Sequence, residues 1–150
     1  MGENVNKIDR VRKISPKKAN QEIDNEINQV ITQYKGKRKN ALGKRIVELD
    51  KEWSIERRIE TFASSLILSG LLLGTLVNRK WLILPGVVAA FLLQHGIQGW
   101  CPPVPLFRLM KARTRKEIDW EKNALKYIRG DFDKVPKTKS KQIFEAVQRI

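Results

Sequence analysis

The chain has 150 residues, with 30 Lys or Arg against 16 Asp or Glu, and a formal net charge of +14. The charge is unevenly spread, because residues 61–78 and 81–107 contain no Asp, Glu, Lys or Arg. A transmembrane helix needs about 20 mostly apolar residues. The composition therefore argues against a soluble globular enzyme and predicts an all-α, two-pass membrane protein with polar ends.

The N-terminal third is polar, and we divide it into a tail and a helical region. Residues 1–14 are predicted to be disordered, and residues 15–52 to be an amphipathic helical region that begins at Ser15 and Pro16. Two apolar seams with helical spacing follow: Ile23, Ile27, Val30 and Tyr34, then Leu42, Ile46, Leu49 and Trp53. They would suit either a short coiled-coil arm or amphipathic helices lying on the bilayer or on a neighbour. We favour the second, because each seam is short.

Residues 53–109 are predicted to form a transmembrane hairpin, with spans at about 59–78 and 81–101. Trp81 and Trp100 bracket the second span, as in an interfacial aromatic belt. The prolines that follow it would end the helix. Because the turn between the spans is only a few residues long, the two helices must be antiparallel.

The distribution of cations predicts the orientation of the hairpin. Lys and Arg are frequent just before the first span and just after the second, whereas the turn carries only Arg79 and Lys80. The positive-inside rule then places both termini in the cytoplasm. Basic flanks of this kind predict contact with the anionic headgroups of the bilayer. Nucleic-acid binding would use similar charges, but the sequence has no nucleic-acid-binding signature, so we do not expect it.

Residues 110–150 are predicted to be a basic, helical, cytoplasmic tail. Thr114 and Glu117 match a capping box at the start of a helix, and Gly130 is well placed to end that helix. A last amphipathic turn or two is predicted from the apolar residues Ile143, Phe144, Val147 and Ile150.

Small residues in the spans suggest where helices approach one another. Gly70 and Gly74 are four residues apart, as are Gly86 and Ala90, so each pair shares a helix face. Such spacing allows close backbone contact in a membrane, although Gly is also common in membrane helices without this role. Since two helices bury little surface, a homodimer or a larger membrane complex is a further expectation.

The second span contains the few chemically functional groups of the hairpin. Gln94, His95 and Gln98 form a polar stripe that could contact a ligand, a proton or haem, or could form hydrogen bonds between helices. Cys101 is the single cysteine and could serve as a persulfide or redox relay, or could be a packed small residue before a proline stop. We favour hydrogen bonding between helices for the polar stripe, and a packed small residue for Cys101.

Several motifs of the hairpin resemble the YgaP-like transmembrane domain, a family of small bacterial inner-membrane hairpins. They are Ile55-Glu56-Arg57-Arg58-Ile59 before the first span, Trp81-Leu82-Ile83-Leu84-Pro85-Gly86 at the start of the second, and Gly99-Trp100-Cys101-Pro102 at its end. The resemblance covers about 53–109 and implies a bacterial inner membrane. Some members of this family carry a sulfur-transferring rhodanese domain. Neither flank is long enough to be one or contains a Cys, so this activity is not expected here.

The sequence contains no constellation that predicts catalysis, a metal site or a cofactor. With one His and one Cys, a zinc site within one chain is not expected. The predicted function is a non-catalytic membrane module, acting as a scaffold, an anchor or a partner-binding subunit. The alternatives are an auxiliary sulfur or redox carrier using Cys101 and an oligomeric conduit for small molecules.

Overall fold

The computed structural model describes residues 9–133, and all regular structure within them is helical. Seven α-helices and one short 3-10 helix follow one another along this part of the chain. They are α1 (Arg10–Ile14), α2 (Lys17–Tyr34), α3 (Lys39–Lys51), α4 (Ile55–Leu76), the 3-10 helix Arg79–Leu82, α5 (Ile83–Gln98), α6 (Pro103–Leu109) and α7 (Arg115–Arg129). The predicted turns at Ile143 to Ile150 lie outside the described residues.

These helices belong to two compact units. Within the described residues, the hairpin unit comprises 9–23 and 53–115, and the helical unit comprises 24–52 and 116–133. Helix α2 contributes its first residues to the hairpin unit and its remainder to the helical unit.

Helices α4 and α5 form the predicted antiparallel hairpin. Ser54 caps α4 by accepting a hydrogen bond from the backbone N–H of Arg57. With 22 residues, α4 extends about 33 Å, enough to cross a hydrocarbon core of about 30 Å. At the turn, the Asn78 side chain accepts a hydrogen bond from the Lys80 N–H at 2.9 Å and starts the 3-10 helix that leads into α5.

The surface of the hairpin is suited to lipid. The segment Lys39–Leu76, which includes α4, and the segment Arg79–Gln98 each contain a stretch that is long and apolar enough to cross a membrane, and only 22% and 6% of these stretches are buried inside the molecule. Hydroxyl groups on α4 bond to carbonyls of the preceding turn, for example Ser65 to Thr61 and Ser69 to Ser65, both at 2.8 Å. Such bonds satisfy polar groups that lipid could not.

The N-terminal segment differs from the predicted disordered tail. Residues 9–14 are ordered: the Asp9 carboxylate caps α1 by accepting hydrogen bonds from the N–H groups of Val11 and Arg12, and Val11 is buried. The prediction of disorder is therefore wrong for residues 9–14. It rested on polarity alone, and the segment is held by contacts to residues far along the chain.

The helical unit has an apolar core of its own. Leu42, Ile46 and Leu49 of α3 pack with Ile118 and Leu125 of α7. Two ion pairs join the same helices: Arg45 Nε to Glu121 Oε1 at 2.9 Å, and Lys122 to Asp50. The second apolar seam thus packs on a neighbouring helix. Trp53 does not belong to this core, because it follows the end of α3 and is exposed.

Candidate functional site

An apolar cleft of about 250 Å³ lies in the hairpin unit, between α4, α5 and the segment that follows α5. Ile59, Ala63 and Leu66 line it from α4, and Val87 and Phe91 line it from α5. Cys101, Pro102 and Pro103 close one side. The lining is apolar except for the Cys101 thiol, so the cleft suits a hydrocarbon group.

Cys101 lies three residues beyond the end of α5 and is a free thiol with 6% of its surface exposed. It packs in an apolar cluster with Val11, Ile55, Ile59 and Val104. Burial raises the pKa of this thiol above its usual value. Since the thiolate is the nucleophilic form, this environment favours an unreactive cysteine at neutral pH.

The predicted polar stripe is only partly assembled. The Gln94 side-chain amide donates to Gln98 Oε1 at 3.5 Å, a long and weak hydrogen bond. His95 Nδ1 is buried and has no hydrogen-bond partner among residues 9–133. The structure thus brings the two glutamines together, and no bond links either of them to the imidazole.

The two pairs of small residues have different surroundings. A Cβ placed on Gly70 would lie 2.5 Å from Pro85 Cδ, and one on Gly74 would overlap the Leu82 side chain. A Cβ on Gly86 would meet no atom within 4 Å, and Ala90 is exposed. The first pair therefore packs inside the hairpin, and the second pair faces outward.

A buried polar cluster in the hairpin unit joins residues that are distant in sequence. Thr114 Oγ1 donates to Asp9 Oδ2 at 2.6 Å, and Arg108 donates to Asn20 Oδ1 at 2.5 Å and to the carbonyl of Ala112 at 3.2 Å. Each of these four polar side chains belongs to a buried residue. Because a buried polar group that loses its hydrogen bond is costly, these bonds fix the segment after the hairpin to the segment before it.

Helix α1 also contacts the end of α5 directly. The Arg10 guanidinium donates to the Gly96 carbonyl. Gly99, which ends α5 with a φ of +82°, lies against Arg10, and a Cβ on it would be 2.7 Å from Arg10 Cβ. Only glycine combines that conformation with so close an approach. The Gly99 of the resemblance motif is therefore needed for packing.

Sequence reasoning missed this cluster because none of its members forms a periodic pattern. The available signals were local: Asp9 is of a residue type that is frequent at helix N-caps, and Thr114 is the first residue of the predicted capping box. Neither signal indicates that Asp9 and Thr114 contact one another.

The hairpin, its lipid-facing surface and the cleft define the class of this protein: an all-α membrane protein with two transmembrane helices. Residues 54–117 match the family model described as inner membrane protein YgaP-like, transmembrane domain. This match confirms the resemblance for residues 54–117, which include both helices of the hairpin. No curated protein and no solved structure matches the chain significantly.

Proposed function

We propose that this protein is a non-catalytic membrane anchor that presents its helical unit to a partner protein in the cytoplasm. The observation that carries the proposal is the separate core of the helical unit, in which α3 and α7 pack through Leu42, Ile46, Leu49, Ile118 and Leu125. A unit with its own core offers a stable surface for binding outside the lipid.

The charge distribution supports the cytoplasmic side for this unit. Lys44, Arg45 and Lys51 precede the first span, and Lys116 and Lys122 follow the second, whereas the turn has two cations. Positive charges close to the ends of spans are retained on the cytoplasmic side. Both termini would then be cytoplasmic.

Two exposed side chains mark where a partner would bind. Val47 of α3 and Tyr127 of α7 both project from the helical unit into solvent. Exposed aromatic residues are frequent anchors in protein interfaces. The anchor hypothesis therefore gives these residues a role that the apolar core does not require.

The two alternative functions have less support. A sulfur or redox carrier needs a reactive Cys101, whereas this thiol is buried with a raised pKa. A conduit needs an oligomer, and Gly70 and Gly74, the face expected to support one, pack against Pro85 and Leu82 inside the hairpin.

The proposal is tested by crosslinking the full chain in native membranes, followed by affinity capture and quantitative mass spectrometry. The variants Val47→Ser and Tyr127→Ala should lower the yield of a specific crosslinked partner several-fold. Leu93→Ala, on the exposed surface of α5, and Cys101→Ser should leave the yield unchanged. Circular dichroism and the elution volume in detergent establish that each variant is folded.

Two results would contradict the anchor hypothesis. One is a yield that neither helical-unit variant lowers. The other is a partner that is lost with Cys101→Ser alone, which would favour the sulfur or redox carrier.

A further inference from the structure

We propose that the apolar cleft of the hairpin unit holds one acyl chain of an anionic phospholipid, with the lipid phosphate at Arg58. This proposal is independent of the anchor function, since it concerns the transmembrane part and a lipid ligand. It assigns a specific binding site in addition to general contact of the basic flanks with headgroups.

The size and chemistry of the cleft select a hydrocarbon group. Its volume is about 250 Å³ and its lining is apolar apart from one thiol. A dry apolar cavity of about 150 Å³ is already large enough to bind benzene. Water would find no hydrogen-bond partners on the apolar walls, so a flexible hydrocarbon chain is the better occupant.

The cleft lies between the two membrane-crossing helices, so an acyl chain of the bilayer can enter it. The lining residues Ile59, Ala63 and Leu66 belong to α4, and Val87 and Phe91 belong to α5, the two helices that can cross the membrane. The cleft is not fully enclosed by the protein. Its open side therefore borders lipid, where acyl chains are the solvent.

A cation adjacent in sequence to the lining residues of α4 indicates the headgroup. Arg58 lies in α4 directly before Ile59 and one turn before Phe62, both of which line the cleft. Its half-buried side chain donates from Nε to the Trp53 carbonyl at 3.1 Å, which holds the guanidinium at the start of the helix. From Arg58 to Leu66 the rise along α4 is about 12 Å. An arginine at this position can bind a phosphate while the attached chain extends along the cleft.

The test is native mass spectrometry of the full chain, extracted in mild detergent from vesicles of equal parts phosphatidylglycerol and phosphatidylcholine. The wild type should retain one phosphatidylglycerol per chain. Ala63→Phe and Val87→Phe fill the cleft from opposite helices and should each lower retention about tenfold. Ala90→Phe adds the same ring to an exposed position outside the cleft and should change nothing.

A second variant separates the headgroup from the acyl chain. Arg58→Gln removes the charge, and a charge-assisted hydrogen bond corresponds to about tenfold in affinity. Arg58→Gln should thus lose the preference for phosphatidylglycerol over phosphatidylcholine. Val87→Phe carries little risk of misfolding, because Val87 is exposed at the edge of the cleft.

Three outcomes would overturn the proposal. Retention that survives both cleft-filling variants shows that the lipid binds elsewhere. Equal loss with Ala90→Phe shows that retention depends on the general lipid-facing surface. A lipid-free dimer that the cleft-filling variants dissociate shows that a second copy of the chain covers the cleft.

Discussion

The two units of this protein distribute polarity in opposite ways. In the helical unit, apolar side chains such as Leu49 and Leu125 are buried, and most charges lie outside. In the hairpin unit, Leu72 and Leu93 are exposed, whereas Arg108 is buried among polar partners. Leucine side chains are thus buried in the core of the helical unit and exposed on the membrane helices of the hairpin unit.

This contrast follows from the solvent that each unit meets. Water makes burial of a leucine favourable by about 1.5–3 kcal/mol, but lipid tails are as apolar as leucine and give no such gain. Exposed leucines on α4 and α5 therefore cost nothing in a bilayer. The chain segments that flank the hairpin are joined both by the buried polar cluster and by the apolar cluster of Val11, Ile59 and Val104.

The largest difference should appear on truncation of matched leucines. Leu125→Ala removes a side chain with 0% exposure from the core of the helical unit and should cost about 2–5 kcal/mol. Leu93→Ala removes a side chain with 67% exposure from α5 and should cost almost nothing in lipid. Unfolding curves in mixed micelles, followed by circular dichroism, measure both. An equal loss of unfolding free energy in the two variants would show that the two units are surrounded by the same solvent.

Introduction of an arginine tests the same contrast in the other direction. Leu72→Arg places a charge on the exposed surface of α4 and should cost about 2.5–3.5 kcal/mol in membrane insertion. Val47→Arg, on the exposed surface of the helical unit, should stay within about 0.5 kcal/mol of the wild type. The inserted fraction, measured by alkaline extraction of membranes, checks the first variant, and the unfolding curve checks the second. Full insertion of Leu72→Arg would argue that this face does not meet lipid.

Within the hairpin unit, Gly70 lies on a face packed inside the hairpin and Gly86 lies on an exposed face. Gly70→Ile forces a side chain against Pro85 and should destabilise the hairpin by about 1–3 kcal/mol, as overpacking does. Gly86→Ile enters open space and serves as the matched control. Unfolding of the two variants in mixed micelles gives the difference. If Gly86→Ile is as destabilising as Gly70→Ile, the outward face must contact another helix.

The smallest effect concerns pH and the helical unit. The hydrogen bond from Arg129 holds the pKa of Asp131 below its usual value. A lowered folded-state pKa means that this pair stabilises the fold above about pH 4, where the unfolded carboxyl is also ionised. The stabilisation is lost as the pH falls through the folded-state pKa.

Because the Arg129–Asp131 pair is partly exposed, it should contribute less than about 1 kcal/mol to the free energy of unfolding. Denaturant unfolding of the wild type and of Asp131→Asn should therefore differ slightly at pH 7, and the difference should shrink as the pH is lowered. A difference in unfolding free energy that does not shrink with falling pH would show that ionisation of Asp131 is not its source.

The transmembrane hairpin could be predicted from sequence because its rules are local. A run without charges, such as 61–78, indicates directly that lipid surrounds it, and the first apolar seam ends at Tyr34, which is also the last residue of α2. Gly130 likewise follows the last residue of α7. Each of these features is encoded within a few residues of where it acts.

Long-range pairing could not be predicted in the same way. The seam of Leu42, Ile46 and Leu49 indicated an apolar face, but nothing in it selected Ile118 and Leu125 as its partners. Polar pairs are even harder to predict from sequence, since a single Asp or Thr forms no periodic pattern. The cleft arises only after α4 and α5 pack, so its existence depends on contacts that the sequence does not display.

The bond between Thr114 and Asp9 has a consequence for biosynthesis, because these residues are 105 positions apart. At about 5–20 residues per second of translation, Asp9 emerges roughly 5–20 s before its partner. The helix that Asp9 caps must remain undocked while the ribosome makes both spans. The bond that docks α1 can therefore form only after the hairpin has been completed. A nascent chain truncated before residue 114 would lack this bond.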